Sequence, residues 1–255
     1  MPITDRFSLA GRRALVTGAS KGIGAEICAV FAEAGADIVA VARDPEGLVE
    51  VARTVEVKGR RCLTIQADLA DAAQTRGAAT QALSDWGTID ILVNNAAVAL
   101  IEPALTASVE NWDLTMAVNI RAPFILSQAL APAMIAQRCG KIINISSQTG
   151  VIALDDHAAS ATSKGGLNAL TKSLCIEWAR HNVQVNAICP TVVLTPMGRR
   201  TWGPPGKSGP MLAKTPAGRF GETVEIADMA LYLASPASGL VNGAIMMIEG
   251  GYTSA

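Results

Sequence analysis

Charged and aromatic residues are scarce in this sequence. Of 255 residues, 17% are charged and 4% are aromatic, and the formal net charge is −1. The lysines and arginines are scattered and form no basic stripe, which is the surface that nucleic acids and anionic lipids require. We therefore predict a small-molecule partner and no nucleic acid.

Segments that insert a chain into a membrane are also missing. No run reaches the ~18 uninterrupted apolar residues of a membrane span, and the first residues, MPITDRFSLAGRR, hold no apolar stretch long enough for a signal peptide. The five cysteines include no C-x-x-C pair, and the histidines are His157 and His181 alone, so we expect reduced core cysteines and no metal site. These absences predict a cytoplasmic protein without a membrane partner.

Apolar runs that favour strands alternate with longer segments of helical periodicity. The predicted strands are residues 14–17, 37–42, 62–66, 89–93, 141–145, 183–188 and 244–248. The predicted helices between them include residues 23–34, 46–57, 72–86, 112–136 and 163–180. This alternation predicts one α/β domain over residues 1–255, built on a doubly wound, seven-stranded parallel sheet with right-handed crossovers.

Residues 195–221 break the alternation. The segment is rich in glycine and proline and too polar for a core element. We interpret it as a substrate loop, either an ordered lid or a mobile segment, with a plain surface excursion as the alternative.

A glycine-rich turn follows the first predicted strand. Residues 17–24 read T-G-A-S-K-G-I-G and lead directly into a predicted helix. Glycine lets the backbone turn tightly and approach a pyrophosphate, while the first N–H groups of the helix attract the phosphate charge. The turn predicts a Rossmann-like dinucleotide site that includes Gly18, Ser20, Lys21, Gly22, Ile23 and Gly24.

Arg43 stands at the end of the second predicted strand, where a dinucleotide fold reads the adenosine ribose. An acidic residue there accepts a hydrogen bond from the 2′-hydroxyl, whereas an arginine binds a 2′-phosphate. Lys21 adds a second positive charge near the same corner, and Asp44 follows Arg43 directly. This pattern favours NADP(H) and keeps NAD(H) as the alternative.

Polar residues after further strands complete a family resemblance. Asp68-Leu69 follows the third strand, and Asn94-Asn95-Ala96-Ala97 follows the fourth. Together with the glycine turn, these residues resemble the short-chain dehydrogenase/reductase family over essentially the whole chain. The resemblance implies that Asp68 bonds the adenine edge, that Leu69 flanks it, and that Asn95-Ala96 pass beneath the adenosine ribose.

The segment after the sixth strand resembles the family motif P-G-x-x-x-T, with Thr191 in place of the usual glycine. The resemblance implies that Pro190 and Val193 line the nicotinamide and that Thr195 bonds its carboxamide. Because a β-branched residue restricts the backbone, Thr191 predicts a stiffer or differently placed turn.

The same resemblance assigns a catalytic group. Asn119 resembles the asparagine that holds a helix kink and a water linked to the lysine, and Ser147 resembles the serine that donates to the substrate oxygen. Lys164 resembles the lysine that binds the nicotinamide ribose and lowers the pKa of the catalytic acid.

In the family this acid is a tyrosine four residues before the lysine, but position 160 here is serine, 13 residues after Ser147 as the register requires. Because an aliphatic hydroxyl is a far weaker acid than a phenol, we expect slow or absent turnover with cofactor binding intact.

Three explanations of Ser160 stay open. In the first explanation, the chain is a deliberately inactivated Tyr→Ser variant of an NAD(P)(H)-dependent oxidoreductase that interconverts a secondary alcohol and a ketone. Alternatively, it is a natural NADP(H)-binding sensor or scaffold without redox activity. In the third explanation it is an enzyme that recruits another acid, for which His157 is the nearest candidate.

The substrate end of the pocket is predicted from polar side chains near the catalytic strands and in residues 195–221. The candidates are Gln148, His157, Arg199 and Trp202. They suit a sugar, a polyol or a hydroxy acid, with a 3-oxoacyl thioester as the alternative. The closing residues 243–252 resemble the family's last strand and tail, which commonly pack between subunits, and this implies a homotetramer.

Overall fold

The computed structural model describes residues 2–254, in which seven strands form one sheet. The strands are β1 (Arg13–Thr17), β2 (Asp37–Ala42), β3 (Cys62–Gln66), β4 (Ile91–Asn94), β5 (Gly140–Ile145), β6 (Val183–Pro190) and β7 (Ile245–Ile248). They lie in the order β3-β2-β1-β4-β5-β6-β7, and every neighbouring pair is parallel. This order confirms the predicted doubly wound, seven-stranded sheet.

Helices connect the strands and cover both faces of the sheet. They are α1 (Ile3–Arg6), α2 (Gly22–Glu33), α3 (Pro45–Val57), α4 (Ala72–Trp86), α5 (Val109–Met116), α6 (Ala122–Ala136), α7 (Ala158–Trp178), α8 (Pro196–Trp202), α9 (Pro205–Ala213) and α10 (Thr223–Ala234). A π-helical turn, Ala117–Arg121, joins α5 to α6 without interrupting the helix.

Local signals in the sequence set the ends of several helices. Asp71 begins α4 because its carboxylate accepts the N–H groups of Ala73 at 2.7 Å and Gln74 at 3.1 Å. Gly87 ends the same helix with a φ of 76°, a left-handed conformation that glycine adopts without strain. Both bounds of α4 agree with the predicted helix 72–86.

Two apolar layers hold the sheet between them. On one face Phe31 of α2 packs with Ile226 of α10. On the other face Leu126 of α6 packs with Ala82 of α4 and Leu174 of α7. All six residues of β2 are buried, as expected for a strand covered on both sides.

Three predicted segments differ from the structure. The predicted helix 112–136 begins earlier, at Val109, where the Ser108 hydroxyl accepts the N–H of Asn111, and it includes the π-helical turn. The predicted helix 163–180 begins at Ala158 and ends at Trp178, so its first turns carry position 160. Residues 195–221, for which no helix was predicted, contain α8 and α9, each with a proline at its first position; their role as a substrate loop stays a prediction.

The continuous helix Val109–Ala136 is long and apolar enough to cross a membrane by length and composition alone. However, 61% of its most apolar window is buried within the fold, as in the core helix of a globular domain. The five cysteines are unpaired, but Cys139 lies half-buried in the turn before β5 and not in a core element as predicted.

Candidate active site

The candidate residues collect at one edge of the sheet, where the strands end. The sheet reverses its order between β1 and β4, which opens the crevice that binds nucleotides in folds of this kind. The glycine turn follows β1, and the remaining predicted cofactor and catalytic residues follow the other strands or lie on the helices beside them. The topology therefore brings together residues that are far apart along the chain.

Close contacts require glycine in the turn after β1. Gly18 has a φ of +63°, and a Cβ at this position would lie 2.9 Å from the Cα of Ala96. A Cβ on Gly24 would overlap the carbonyl oxygen of Gly18, and one on Gly22 would lie 3.1 Å from the Thr195 side chain. The glycines thus let this turn pack against the segments after β4 and β6.

Thr17 and Asn95 fasten the turn to the neighbouring strand. The Thr17 hydroxyl accepts the N–H groups of Asn95 at 3.0 Å and Ala96 at 3.1 Å. The Asn95 side-chain amide donates to the carbonyls of Thr17 and Gly18 at 2.9 Å and 3.3 Å. Asn95 therefore shapes the pyrophosphate turn directly, in addition to any contact with a ribose.

The start of α2 provides the hydrogen-bond donors that a phosphate needs. Lys21, extended and exposed, precedes the helix, and no side chain in residues 2–254 caps the first N–H groups. Uncapped N–H groups and the positive end of the helix dipole form a site for anions. The residues present therefore fit the pyrophosphate of a dinucleotide.

Arg43 lies at an exposed corner beside this turn. Its guanidinium is 4.0 Å from the carboxylate of Asp68, and both side chains are well exposed. The carboxylate of Asp44 accepts the N–H of Gly47 at 3.2 Å and so begins α3. A Cβ on Gly47 would lie 2.7 Å from the Cβ of Ser20, so the start of α3 touches the glycine turn and places Arg43 near it.

Asn119 lies in the π-helical turn and is buried. Its amide oxygen accepts the N–H of Val98 at 2.9 Å, and its amide nitrogen donates to the Val98 carbonyl at 3.0 Å. The same nitrogen donates to the Ser163 hydroxyl at 3.1 Å. Asn119 thus links the segment after β4 to α7, the helix that carries Ser160 and Lys164.

Lys164 is buried at the centre of the site. Its Nζ donates to the Ile145 carbonyl at 2.7 Å, and its own carbonyl accepts the Ser146 hydroxyl at 3.2 Å. Burial in the low-dielectric interior lowers the pKa of Lys164 to about 8. The end of β5 and α7 are therefore held together at the ammonium group.

Gly150 closes the same contact between the β5 segment and α7. Its carbonyl accepts the Asn168 side-chain amide at 3.2 Å. A Cβ at Gly150 would lie 2.7 Å from this amide and 2.9 Å from the backbone of Lys164. The segment that carries Ser147 therefore approaches α7 more closely than any larger residue allows.

Ser160 lies on α7 one turn before Lys164, on the same face of the helix. Ser160 is buried, its carbonyl accepts the Ser163 hydroxyl at 2.7 Å, and its own hydroxyl has no hydrogen-bond partner within residues 2–254. The two tyrosines of the chain lie elsewhere: Tyr232 packs against Phe7 from α10, and Tyr252 lies in the turn Tyr252–Ser254. No phenol therefore occurs on the described part of α7.

The structure brings two of the predicted substrate residues into contact. His157, at the start of α7, stacks on Trp202 of α8 with ring centroids 6.2 Å apart and planes inclined by 26°. Nδ1 of His157 is hydrogen-bonded to the Asp155 carbonyl. Arg199 is exposed on α8 and forms no ion pair within the described range, so its predicted contact with the site stays a prediction.

Buried polar atoms without partners gather at this edge of the sheet. Within residues 2–254 they are Asn94 Oδ1, Gln148 Oε1, Thr191 Oγ1 and Arg60 Nε. All but the last follow or end β4, β5 and β6. Buried groups of this kind usually have a partner, so their clustering marks a place where water or a ligand completes the hydrogen bonding.

Sequence reasoning missed several residues that organise the site. Ser146, Thr149, Gly150 and Ser163 were not predicted as site residues, and Thr17 was noted only within the glycine motif. Thr17 ends β1 and Gly150 follows Ser147 closely, so their places in motifs carried a signal. The roles of Thr149 and Ser163 depend on hydrogen bonds that only the folded chain creates.

Comparison with known proteins gives matches along nearly the whole chain. A family model described as enoyl-(acyl carrier protein) reductase matches residues 18–253. L-xylulose reductase of Mus musculus is 44% identical over 96% of this chain and 98% of its own length. An NAD-dependent glycerol dehydrogenase of Listeria innocua is 40% identical over 97% of this chain and 96% of its own. The crystal structure of a gluconate 5-dehydrogenase from Burkholderia cenocepacia, in complex with NADP and tartrate, has a TM-score of 0.94 and 38% identity, with 100% of both chains covered.

Proposed function

Because the chain belongs to the short-chain dehydrogenase/reductase family, we propose that it is an NADP(H)-preferring oxidoreductase that interconverts a ketone and a secondary alcohol of a sugar or polyol. The observation that carries the proposal is the group of Asn119, Ser147 and Lys164 beside the glycine turn. A bound nicotinamide would supply or accept the hydride. Asn119 and Lys164 hold the site together, and Ser147 donates a hydrogen bond to the substrate oxygen, on which negative charge builds during reduction.

The exposed Arg43 supports the preference for NADP(H). A guanidinium at this corner pairs with a 2′-phosphate, whereas Asp44 uses its carboxylate to begin α3. The relatives are named for both cofactors, so NAD(H) is the alternative.

We predict that Arg43→Asp reverses the cofactor preference. The parent chain should bind NADPH more tightly than NADH in a fluorescence titration, because only NADPH carries the phosphate that Arg43 neutralises. Arg76→Asp, which changes an exposed cation on α4, is the matched control and should leave both dissociation constants unchanged. Equal binding of the two cofactors by the parent would remove Arg43 from the proposal.

Polar side chains support a hydroxylated substrate. Gln148 is buried and its Oε1 has no partner in the part of the chain that the structure describes, and the His157–Trp202 pair lies at the start of α7. L-xylulose, glycerol and gluconate in the names of the relatives are all polyhydroxylated, which supports the same class of substrate. A 3-oxoacyl thioester reductase is the second candidate, favoured by the acyl-carrier description of the family model.

Ser160 occupies, in our proposal, the position of the family's tyrosine. A phenol beside the Lys164 ammonium can give up its proton near neutral pH, whereas a serine hydroxyl is a much weaker acid with a shorter side chain. The parent chain should therefore bind NADP(H) and turn over slowly.

The test restores the phenol. We expect Ser160→Tyr to raise kcat for L-xylulose with NADPH by about 10²- to 10⁴-fold, the usual contribution of a general acid. Ser160→Phe adds similar bulk without the hydroxyl and should give no gain. A panel that includes acetoacetyl-CoA distinguishes the second candidate.

The remaining outcomes separate the alternatives. No gain from Ser160→Tyr over a broad panel of ketoses and polyols would favour a non-catalytic NADP(H)-binding protein. Rapid turnover by the parent chain would indicate another acid, and the test of that acid is His157→Gln.

The proposed assembly is a homotetramer. A largely apolar groove between α5–α6 and α7 supports helix-to-helix contact between subunits; it is lined by Met116, Ala117, Ile120, Phe124 and Leu170, together with Asp113 and Arg121. The cytoplasmic location stays a prediction from the sequence.

A further inference from the structure

We infer that Thr149 is a positioning residue for the reaction: it orients the Ser147 hydroxyl so that its proton points toward the substrate oxygen. This inference deepens the proposed function and rests on it. Thr149 is buried, and its side chain contacts the hydroxyl that the proposed reaction uses.

Two hydrogen bonds from the same residue converge on Ser147. The Oγ of Ser147 accepts a hydrogen bond from the backbone N–H of Thr149 at 3.1 Å and another from the hydroxyl of Thr149 at 3.0 Å. A serine hydroxyl has two lone pairs and one proton, so these two donors fill its accepting capacity. With Thr149 as the donor in both contacts, the Ser147 proton points away from Thr149, where it meets no acceptor within residues 2–254.

The remaining direction leads to the substrate. Ser147 is half-exposed at the end of β5, and the segment that carries it is held against α7 through Ser146, Gly150 and Lys164. A hydroxyl that already accepts two hydrogen bonds is a stronger donor, because hydrogen bonds in a chain polarise one another. A donor fixed before the reaction stabilises developing negative charge without a cost of reorientation.

Ser160 makes this orientation more consequential in the present chain. Among the described residues 2–254, the Ser160 hydroxyl has no partner to fix it, whereas the Ser147 hydroxyl has two. Of the Ser147 and Ser160 hydroxyls, only that of Ser147 is held ready to donate.

The experiment compares Thr149→Val with Thr149→Ser in the full-length Ser160→Tyr protein, using L-xylulose and NADPH. Valine keeps the shape and the backbone N–H but removes the hydroxyl, and serine keeps the hydroxyl. We expect Thr149→Val to lower kcat about tenfold, with KM and the dissociation constant of NADPH within about twofold of the parent values. Thr149→Ser should keep kcat within about twofold.

A merely structural role would give a different pattern. Equal kcat in the threonine and valine proteins, or equal losses in valine and serine, would overturn the inference. So would a kcat loss matched by weaker NADPH binding, because that would indicate a disturbed fold. If the Ser160→Tyr protein shows no turnover before position 149 is changed, the proposed function itself fails, which is a separate outcome.

Discussion

Two lysines, the buried Lys164 and the half-buried Lys141, make the stability of the protein depend on pH at the level of single residues. Burial lowers the pKa of Lys164 and of Lys141 to about 8, although Lys164 donates to Ile145 and Lys141 to Ser235 and Ser238. Below pH 8 both ammonium groups are charged in the folded and unfolded chains, and the folded state bears the desolvation cost. Above pH 8 the folded chain releases these protons while the unfolded chain keeps them, so the free energy of unfolding rises with pH.

We predict that Lys164→Met removes part of this rise. Between about pH 7.5 and 9, the free energy of unfolding should rise by about 1 kcal/mol more in the parent than in the variant. The measurement is urea unfolding at both pH values and one fixed protein concentration. Lys172→Met, which changes an exposed lysine on the same helix, should keep the parent's dependence on pH. Identical pH dependence in parent and Lys164→Met would show that Lys164 is not desolvated as the structure implies.

The residues of the site were predictable where a motif fixes both type and spacing. The sequence placed Gly18, Arg43, Ser147 and Lys164 at strand ends or on one helix, and the parallel sheet brings those ends to one edge. The orienting hydrogen bonds were not predictable. Thr149 reaches Ser147 only because residues 148–150 form a 3₁₀ turn, and no periodicity in the sequence marks such a turn.

Among the elements, strands were easier to predict than helix ends. Every strand began and ended within two residues of its predicted bounds, because each is a short apolar run. The start of α7 was missed by five residues, since Ser160, Thr162 and Ser163 have low helix propensity and the packed fold overrides it. The helix α8 was missed because the segment around it is rich in glycine and proline, although Thr195 caps it by accepting the Gly198 N–H at 3.0 Å.

At the scale of the elements, we predict that Trp202 holds α8 against the start of α7. Trp202→Ala removes the stacking on His157, which contributes about 0.5–1.5 kcal/mol. The state in which α8 is locally detached from α7 should therefore become several-fold more populated. Trypsin reports this opening directly, because α8 carries Arg199 and Arg200. The initial rate of cleavage after these arginines should rise about fivefold.

Two further variants test whether stacking is the cause. Trp202→Phe keeps an aromatic ring and should keep the cleavage rate near that of the parent. Trp112→Ala, on α5, removes a tryptophan outside this contact and should not change cleavage in α8. An unchanged rate in Trp202→Ala would mean that α8 is held by other contacts.

At the scale of the whole molecule, the two faces and the carboxyl edge of the sheet have separate tasks. The faces bury the apolar layers, and the edge collects the glycine turn, Arg43 and the group around Lys164. Beyond these, α5–α6 and α7 present an apolar groove on the outside of the domain. Neither the apolar layers nor the carboxyl edge of the sheet explains why this groove is exposed. Contact with a second copy of the chain would explain it.

We predict that Phe124→Asp prevents this contact between subunits. Phe124 lines the groove and is 42% exposed in the single chain, so an assembled protein would bury a carboxylate in place of an aromatic ring at this position. Light scattering after size exclusion should give the mass of a tetramer for the parent and a smaller species for Phe124→Asp. Val57→Asp is the matched control, because Val57 is 89% exposed at the end of α3, away from the groove. A monomeric parent, or equal masses for the parent and Phe124→Asp, would contradict the assembly; a change caused equally by Val57→Asp would assign the effect to added charge and not to the groove.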